Sequence, residues 1–416
     1  MIELAWASLR ARSLAVSLVI VSLTCAMVLL LSLERIQSAT KNGFDQSISG
    51  VDLIIGPRSG GIELVLYSVF HLGRPTNNIT METVEDLAQD ASIDWLVPIA
   101  LGDSHGPYRV IATTDAYFDH IKVGQKESLE FKEGRAFQNI SEVVIGAEVA
   151  RALDYQIGSK IYLTHGSGEA LGKAHDDFTF EVTGILAATG TPNDQAVFVD
   201  LKGYELIHLG WQSGTRAFSL DSVDLDNIPP EALTPKTVTA AFVGLTSKLA
   251  LFPVVRAVNE YPEEAVSAIV PGIALSELWS IVGMVDRAFA FLSWLIIGIS
   301  LITMVTMTIA SLEARTREMT ILRATGASPG YLSALVMIEA ALIGLAAIGL
   351  AIIIVSATTV FAQDLMTSQL GIAPDIAWLS PHELLIFAII LVAGLASSVL
   401  PAMMVYRRSV QQGLSQ

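Results

Sequence analysis

The sequence is poor in charge and has almost no cysteine. Asp, Glu, Lys and Arg make up 16% of the 416 residues, whereas 52% are hydrophobic. Soluble domains carry about 25% charged residues, so the shortage indicates a membrane protein. The single cysteine, Cys25, excludes an intramolecular disulfide. Because Thr24 precedes it and apolar residues continue to Leu33, a membrane-buried cysteine is a better interpretation than a lipid-attachment site.

The sequence also lacks the motifs that ATP hydrolysis and metal-dependent proteolysis need. A phosphate-binding loop has the pattern G-x-x-x-x-G-K-[ST]. The nearest match, Gly172-Lys173, has Ser167 at the first glycine position and Ala174 at the last position. No HExxH or CxxC pattern occurs. We therefore expect that the chain is not an enzyme, that it holds no cofactor, and that any ATP hydrolysis belongs to another subunit.

Four long runs carry no charged residue at all. They lie between Arg12 and Glu34, Arg287 and Glu313, Glu339 and Asp364, and Glu383 and Arg407. A helix needs about 20 apolar residues to cross a bilayer, and an open strand cannot cross because its backbone groups would go unpaired. We predict membrane-spanning helices at 13–33, 287–312, 332–363 and 384–406. The first run is longer than the ~7–15 residues of a signal-peptide core, so a retained span is favoured over a cleaved signal.

Basic residues near the span ends predict the orientation of the chain. They precede the first span, lie between the second and third, and follow the fourth: Arg10, Arg12, Arg315, Arg317, Arg323, Arg407 and Arg408. All three sites fall on one side if the chain crosses four times. We expect cytoplasmic segments at 1–12, 313–331 and 407–416, a large outer domain at 34–286, and a short outer loop at 364–383.

The predicted outer domain is acidic and mixes strand and helix patterns. Residues 34–286 contain 17 Lys and Arg against 34 Asp and Glu, a net charge of −17. A solvated surface explains this charge, although cationic partners are an alternative. Alternation and turn residues predict strands at 143–146, 158–163, 178–186, 196–200 and 237–245, and helices at 80–90, 147–153, 201–209 and 249–259. The pattern is typical of an α+β domain.

Two further segments of this domain have open interpretations. An apolar run from 62 to 72 contains Ile62, Leu64, Leu66, Tyr67 and Phe70, and it is either a substrate or dimer contact or part of the core. Residues 274–286 predict a helix that continues into the second span. Such a helix would carry motion between the outer domain and the membrane, unless it is a plain linker.

A loop at 164–178 contains the one cluster of metal-ligand residue types. His165, His175, Asp176 and Asp177 lie within it. Imidazole and carboxylate suit zinc or a similar ion. The ten-residue spacing in a glycine-rich loop is not diagnostic, however, and a solvated hairpin tip is the alternative.

The segment between the second and third spans predicts a short amphipathic helix. Its apolar side is formed by Met319, Ile321, Leu322 and Thr325, its charged side by Arg315, Arg317, Glu318 and Arg323, and Gly326 is a helix stop. Such a helix can dock on a cytoplasmic partner. A basic loop that only sets the topology is the alternative.

The run 317–328, REMTILRATGAS, resembles the coupling-helix signature "REI-x-hydrophobic-LRA-x-GAS" of the FtsX/MacB/LolC-type ABC transporter permease superfamily. Glu339 stands near the start of the third span, as an acidic residue does in that family. Pro401-Ala402 and the segment after it are similar to the family's C-terminal end, although Ser409 and Val410 stand where a proline is usual. Segments 143–163 and 182–186 are similar to its outer-domain pattern, although Ser159 replaces an acid.

This resemblance implies a fold, partners and a location. The fold would be membrane α+β, with one span, a MacB-like periplasmic domain and then three spans, in the bacterial inner membrane. Two copies of a cytoplasmic ABC ATPase, holding ATP and Mg²⁺, would dock on the coupling segment: Arg315, Arg317, Glu318, Ile321, Leu322, Arg323, Gly326 and Ala327. Since the chain begins shortly before its first span, the separate-ATPase type fits. We expect a second permease in a homodimer, and a periplasmic adaptor or lipoprotein is a further candidate partner. We expect no nucleic-acid partner.

The resemblance also implies a class of function. We expect an ATP-driven permease of the mechanotransmission type, acting on a hydrophobic, peptide or lipoprotein-like substrate at the outer side of the membrane. The alternatives are an FtsX-like signalling subunit that controls a periplasmic partner, and metal-linked transport through the loop at 164–178.

Overall fold

The computed structural model describes residues 2–47, 49–124, 127–165, 178–209, 211–212, 215–216, 229–314, 321–322, 324–370 and 379–414. The chain divides into two compact units. The first, here called the span unit, comprises residues 1–38, 282–363 and 374–416. The second, here called the sheet unit, comprises residues 39–281 and 364–373.

The described residues form eleven α-helices. In chain order they are α1 Ile2–Ala11, α2 Ser13–Ser47, α3 Gly61–Ser68, α4 Met81–Leu87, α5 Ala116–His120, α6 Ala147–Leu153, α7 Leu201–His208, α8 Leu251–Asn259, α9 Pro271–Ala314, α10 Pro329–Leu370 and α11 Pro381–Leu414. Short 3-10 helices lie at Pro192–Gln195, Pro230–Leu233 and Lys248–Ala250.

Four of these helices are long and apolar enough to cross a membrane, within the part of the chain that the structure describes. The apolar stretches are Ser13–Ala39, Pro271–Ala310, Gly330–Phe361 and Pro381–Met404. The first predicted span lies inside one of them, and each of the other three overlaps one and extends two residues past its end. The predicted helix that leads into the second span is also confirmed, because α9 runs without interruption from Pro271 to Ala314.

The strands belong to the sheet unit. They are β1 Leu53–Pro57, β2 Ile79–Thr80, β3 Ile93–His105, β4 Tyr108–Thr113, β5 Lys122–Val123, β6 Glu127–Ser128, β7 Phe131–Gly134, β8 Glu142–Ile145, β9 Lys160–Ile161, β10 Thr164–His165, β11 Phe180–Leu186, β12 Ala196–Asp200, β13 Trp211–Gln212, β14 Thr215–Arg216, β15 Thr237–Val238, β16 Ala240–Leu245 and β17 Val266–Ile269.

Among the described residues, eleven strands form one mixed sheet. Its order is β17-β1-β16-β3-β4-β12-β8-β11-β7, with β10 beside β3 and β9 beside β11. The pairs β12–β4 and β11–β8 are parallel, and the other pairs of this sheet are antiparallel. This arrangement confirms the predicted α+β fold.

Both faces of the large sheet are buried, so alternate residues of a strand enter different cores. Leu53 and Ile55 of β1 join one cluster, with side chains of α4, α6, α7 and α8. Ile54, between them, joins the other, with side chains of α3, α5 and the start of α9. Burial of alternate side chains on opposite faces follows from the two-residue period of a strand.

Most of the predicted elements of this unit are confirmed. The helices predicted at 80–90, 147–153, 201–209 and 249–259 correspond to α4, α6, α7 and α8, and the strands predicted at 143–146, 178–186, 196–200 and 237–245 correspond to β8, β11, β12 and the pair β15 and β16. Residue types at the helix starts explain some of this success, since Thr80 Oγ1 accepts the N–H of Thr83 and Asp200 accepts that of Lys202. The strand predicted at 158–163 is shorter, at Lys160–Ile161.

Candidate functional site

The predicted coupling segment is described at its C-terminal end. Ile321, Leu322, Gly326 and Ala327 are among the described residues, whereas Arg315, Arg317, Glu318 and Arg323 lie outside them. The end of this helix has the hydrogen bond of a Schellman cap, because the Ala327 N–H donates to the Leu322 carbonyl at 3.0 Å. Gly326 has a φ of +98°, which is the left-handed conformation that this cap requires. The predicted helix stop at Gly326 thus has a backbone reason.

Two neighbouring apolar residues of this segment have different surroundings. Leu322 and Ala327 pack against the buried Leu332 and Val336 of α10. Ile321 is 60% exposed. This difference follows from helix geometry, because adjacent helical residues point about 100° apart. Ile321 is therefore within reach of a partner, as is the exposed Ala324.

Residues 326–330, GASPG, match the letters of the G-x-S-x-G motif of serine hydrolases. That motif needs a strand before the serine and a helix after it. Here a helical turn precedes the motif, and Ser328 Oγ accepts the N–H of Tyr331 at 3.2 Å. Ser328 therefore caps the start of α10, and the match carries no hydrolase chemistry.

An ion pair joins the start of α2 to the third apolar helix. The Arg12 guanidinium donates to the Glu339 carboxylate, and the two side chains are 14% and 5% exposed. Ionisable groups within apolar spans are costly, so they face the bundle interior and pair with one another. Glu339 was singled out from the sequence by resemblance, and the structure assigns it a partner.

An ion pair and a histidine–carboxylate contact join α2 to the start of α11. Arg35 Nε donates to Glu383 Oε1 at 2.6 Å, and Arg35 Nη2 donates to Glu383 Oε2 at 3.3 Å. The preceding residue of each helix also pairs, since His382 Nδ1 contacts the Glu34 carboxylate. Glu383 is 3% exposed, whereas the His382 side chain is 67% exposed. The Arg35–Glu383 pair is therefore the buried one of the two.

Polar and small residues hold α2 against the other spans between these ion pairs. The Ser22 and Ser300 hydroxyls lie 2.6 Å apart, and Thr24 Oγ1 donates to the Ala347 carbonyl at 3.3 Å. Ala347 and Ala351 are completely buried. Small residues let helices approach closely in a membrane. The span unit is thus tied together along α2 by charge at both ends and by close packing between them.

The apolar run from 62 to 72 lies mainly in the core of the sheet unit. Leu64, Tyr67 and Phe70 are 0%, 2% and 7% exposed, and they pack in the cluster beneath α3. Ile62 and Leu66 are half-buried. This burial favours the core interpretation over the contact interpretation for three of the five residues.

Most of the predicted metal ligands lie outside the residues that the structure describes. His175, Asp176 and Asp177 lie outside the described residues, and of His165 the structure describes the backbone in β10. Within the described part of the chain, no group of three His, Cys, Asp or Glu side chains is placed to hold an ion. The metal site remains a sequence prediction.

The ion pairs of the span unit could not be found from sequence spacing alone. Arg12 and Glu339 are 327 positions apart, and Arg35 and Glu383 are 348 apart. The available signal was their position at or within the edges of uncharged runs. That signal marks a charge as costly but does not identify its partner.

Two family models match the chain in sequence. The model described as the MacB-like periplasmic core domain matches residues 13–268, which is well over half of the chain. The model described as the FtsX-like permease C-terminal matches residues 290–410. The chain belongs to the FtsX/MacB-type family of ABC transporter permeases. Permeases of this family are multi-pass membrane proteins that work with a cytoplasmic ABC ATPase, and the predicted family is confirmed.

Solved structures of two transporter domains are distantly similar to this FtsX/MacB-type chain. The periplasmic region of MacB from Actinobacillus actinomycetemcomitans is 12% identical, with 56% of this chain and 94% of that chain covered and a TM-score of 0.33. The extracellular domain of the noncanonic ABC-type transporter YknZ from Gram-positive bacteria is 12% identical, with 53% and 98% covered and a TM-score of 0.30. No curated protein matches the chain. The family assignment rests on the two sequence models.

Proposed function

We propose that this chain is the permease subunit of a mechanotransmission-type ABC transporter in a bacterial inner membrane. A separate ATPase supplies the energy from the cytoplasm, the sheet unit lies in the periplasm, and two permeases pair. The observation that carries the proposal is α9, one helix of 44 residues from Pro271 to Ala314.

Helix α9 contributes to the cores of both units. Ala274 and Leu275, near its start, are 5% and 4% exposed in a core cluster of the sheet unit. Ile297 and Met304, further along, are each 2% exposed in the core cluster of the span unit. The described part of the helix reaches Ala314, which immediately precedes Arg315 of the predicted coupling segment. Displacement of that segment by an ATPase would therefore act on a rod that is anchored by packing at both ends.

The substrate class is supported by the type of domain. The match to the MacB-like periplasmic core domain covers residues 34–268 of the predicted outer domain, which runs from 34 to 286. This match supports a transporter acting on a hydrophobic, peptide or lipoprotein-like substrate. Leu64, Tyr67 and Phe70 are buried. The apolar run from 62 to 72 therefore does not support such a substrate. The alternative to transport is an FtsX-like signalling role with a periplasmic enzyme as the partner.

The test is to interrupt α9 without changing its packed residues. Met284 and Val285 are 61% and 55% exposed and follow Gly283. The double variant M284G/V285G creates three successive glycines, and glycine costs about 1 kcal/mol per residue relative to alanine in a helix. The matched control is M284A/V285A, which removes the same side chains and keeps the helix.

The readout is a dye on Ala91→Cys in a Cys25→Ser background, with the permease and its ATPase reconstituted in nanodiscs. We expect ATP to change the fluorescence in the parent and the alanine control. We expect the glycine variant to lose that change while ATP hydrolysis continues. A full response in the glycine variant contradicts transmission through α9. A periplasmic hydrolase in stoichiometric amounts among the copurified proteins supports signalling instead of transport.

A further inference from the structure

A cavity of about 480 Å³ opens in the sheet unit beside α3. Its wall is formed by the loop 71–78, by Leu101 and Gly102 of β3, and by Arg109 of β4. Sites for small molecules are typically ~300–1,000 Å³. The cavity is therefore large enough for a small ligand or for the end group of a larger one.

The charged residues that line this cavity are all basic. Arg74 and Arg109 face it together with His71, and of the described residues that line it none is Asp or Glu. Burial and then the charge of Arg74 lower the pKa of Arg109. Burial and then Arg109 lower the pKa of His71 to about 4, so His71 is neutral at pH 7 and offers hydrogen bonding without charge. A positive field in a unit rich in acidic residues attracts anions to one place.

The groups around the cavity are held in unusual backbone conformations. His71 has a φ of +56°, which residues with a side chain rarely adopt. The β3–β4 pairing shifts register between Leu101 and Ser104, so Gly102 lies in a bulge. A Cβ at Gly102 would lie 2.7 Å from the Tyr204 hydroxyl, so a larger residue there would have to displace that hydroxyl. Strained residues and bulges are concentrated next to functional sites, where they aim side chains.

Arg109 is fixed by its position in the sheet. β4 is paired with β3 on one side and β12 on the other. Arg109 Nη2 also donates to the Gly73 carbonyl at 3.3 Å, which ties the loop to the strand. The carboxylate of Asp103, next to Gly102, does not line the cavity and lies 3.6 Å from His208 Nε2. A bound anion would meet the guanidinium of Arg109, which the sheet holds in place, and the guanidinium of the exposed Arg74.

We propose that this cavity binds an oxyanion, a phosphate or carboxylate group carried by a small ligand. Arg74 and Arg109 hold the charge, and His71, Thr76 and Asn77 supply hydrogen bonds from the wall. Guanidinium groups suit both anions because their forked donors match two oxygens. The site stands apart from the proposed transport function, since neither its residues nor its ligand depends on an ATPase.

The test uses the full chain purified in an uncharged detergent, with calorimetric titration of sodium phosphate and of sodium acetate at constant ionic strength kept by NaCl. We expect binding of at least one of the two anions above the chloride background. Arg74→Gln should weaken that binding about tenfold or more, because one charge-assisted contact is lost. Tighter binding of phosphate indicates a phosphate-bearing ligand, and tighter binding of acetate a carboxylate.

Arg58→Gln is the matched control. Arg58 is exposed in the same unit and donates to the Asn259 carbonyl at 2.7 Å, away from the cavity. The variant Arg58→Gln should leave the affinity for the anion unchanged. Arg109→Lys keeps the charge on β4 but loses the fork, so it should weaken binding without unfolding the chain. Equal affinity in Arg74→Gln and the parent, or no binding of either anion above chloride, overturns the proposal and leaves Arg109 a structural tie to the loop.

Discussion

Ile321 is exposed, whereas the neighbouring Leu322 packs against α10. Leu322 and Ala327 close the turn against α10, and the left-handed Gly326 permits the cap. An apolar side chain that is 60% exposed on a rigid, capped turn is suited to fill a pocket on a partner. At this scale, Ile321 is the described side chain on which the proposed contact with the ATPase can be tested.

The change Ile321→Asp should reduce the amount of ATPase that copurifies with the permease about tenfold, because a buried apolar contact is replaced by a charge. The measurement is quantitative mass spectrometry of a tagged permease from detergent-solubilised membranes. Leu72→Asp is the control, since Leu72 is 56% exposed in the sheet unit. Unchanged recovery of the ATPase with Ile321→Asp would remove Ile321 from the coupling contact.

Glu142 of the sheet unit accepts hydrogen bonds from three residues. Arg135 donates to it from Nη1 at 2.7 Å and Nη2 at 2.9 Å, the Gln138 N–H donates at 2.7 Å, and Asn139 Nδ2 donates at 2.8 Å. These bonds, those of Arg135 first, lower the pKa of Glu142 to about 2. A carboxylate whose pKa falls on folding stabilises the protein above its ordinary pKa and loses that effect as the pH falls toward 2.

We expect Glu142→Gln to lower the free energy of unfolding at pH 7 by roughly 1–2 kcal/mol, a figure reduced for the solvent that screens Arg135. The difference from the parent should shrink between about pH 4.5 and pH 2. Unfolding by denaturant, followed by tryptophan fluorescence across this range, measures both. Glu133→Gln is the control because the Glu133 side chain is 55% exposed. A difference that stays constant down to pH 2 would contradict the assigned cause.

At the scale of elements, α2 is held at both ends by charge. Arg12 pairs with Glu339 of α10, and Arg35 pairs with Glu383 of α11. Removing one partner of a buried ion pair leaves an uncompensated charge, which costs more than removing both. The pairing therefore predicts strong coupling between two positions that are far apart in sequence.

A double-mutant cycle on Arg12→Gln and Glu339→Gln tests this coupling. Each single change should destabilise the chain by about 3 kcal/mol, and the double variant should cost clearly less than the sum. Thermal unfolding in detergent provides the comparison. Arg10→Gln, at an exposed position two residues earlier, should have little effect. Additive losses in the cycle would show that the two residues do not act as a pair.

The elements that could be predicted from the sequence have two faces that differ in polarity, or ends that carry turn or capping residues. Strand β12 follows turn residues, and α7 begins at the capping Asp200. Strand β1 was not predicted, because all five of its residues are buried and it shows no alternation. The same ambiguity left the run from 62 to 72 open between core and contact. The partners of Glu339 and Glu383 could not be predicted, since ion pairing between distant spans leaves no period in the sequence.

At the scale of the whole molecule, the orientation in the membrane can be predicted and tested. Basic residues predict that the segment between the second and third spans is cytoplasmic and that the sheet unit is not. The chain is well suited to a labelling test, because Cys25 is its one cysteine. Ala91 in the sheet unit and Ala324 beside the coupling segment are both exposed.

In a Cys25→Ser background, a membrane-impermeant maleimide should label Ala91→Cys in intact spheroplasts. It should label Ala324→Cys only after the membrane is permeabilised. Gel-shift detection of the modified chain gives the answer, and denatured samples of both variants control for reactivity. Labelling of Ala324→Cys in intact cells would reverse the predicted orientation and would place the coupling segment away from any cytoplasmic ATPase.

The chain enters and leaves the sheet unit through neighbouring strands. α2 ends at Ser47 shortly before β1, and β17 ends at Ile269 just before α9 begins. β1 and β17 are antiparallel partners, with Ile54 opposite Ile269. The strands near the entry and exit points are thus joined to each other by backbone hydrogen bonds, as in domains that tolerate insertion into a host chain. Recombination at these two neighbouring positions could exchange the sheet unit between permeases. Its specificity could then change during evolution while the membrane helices stay the same.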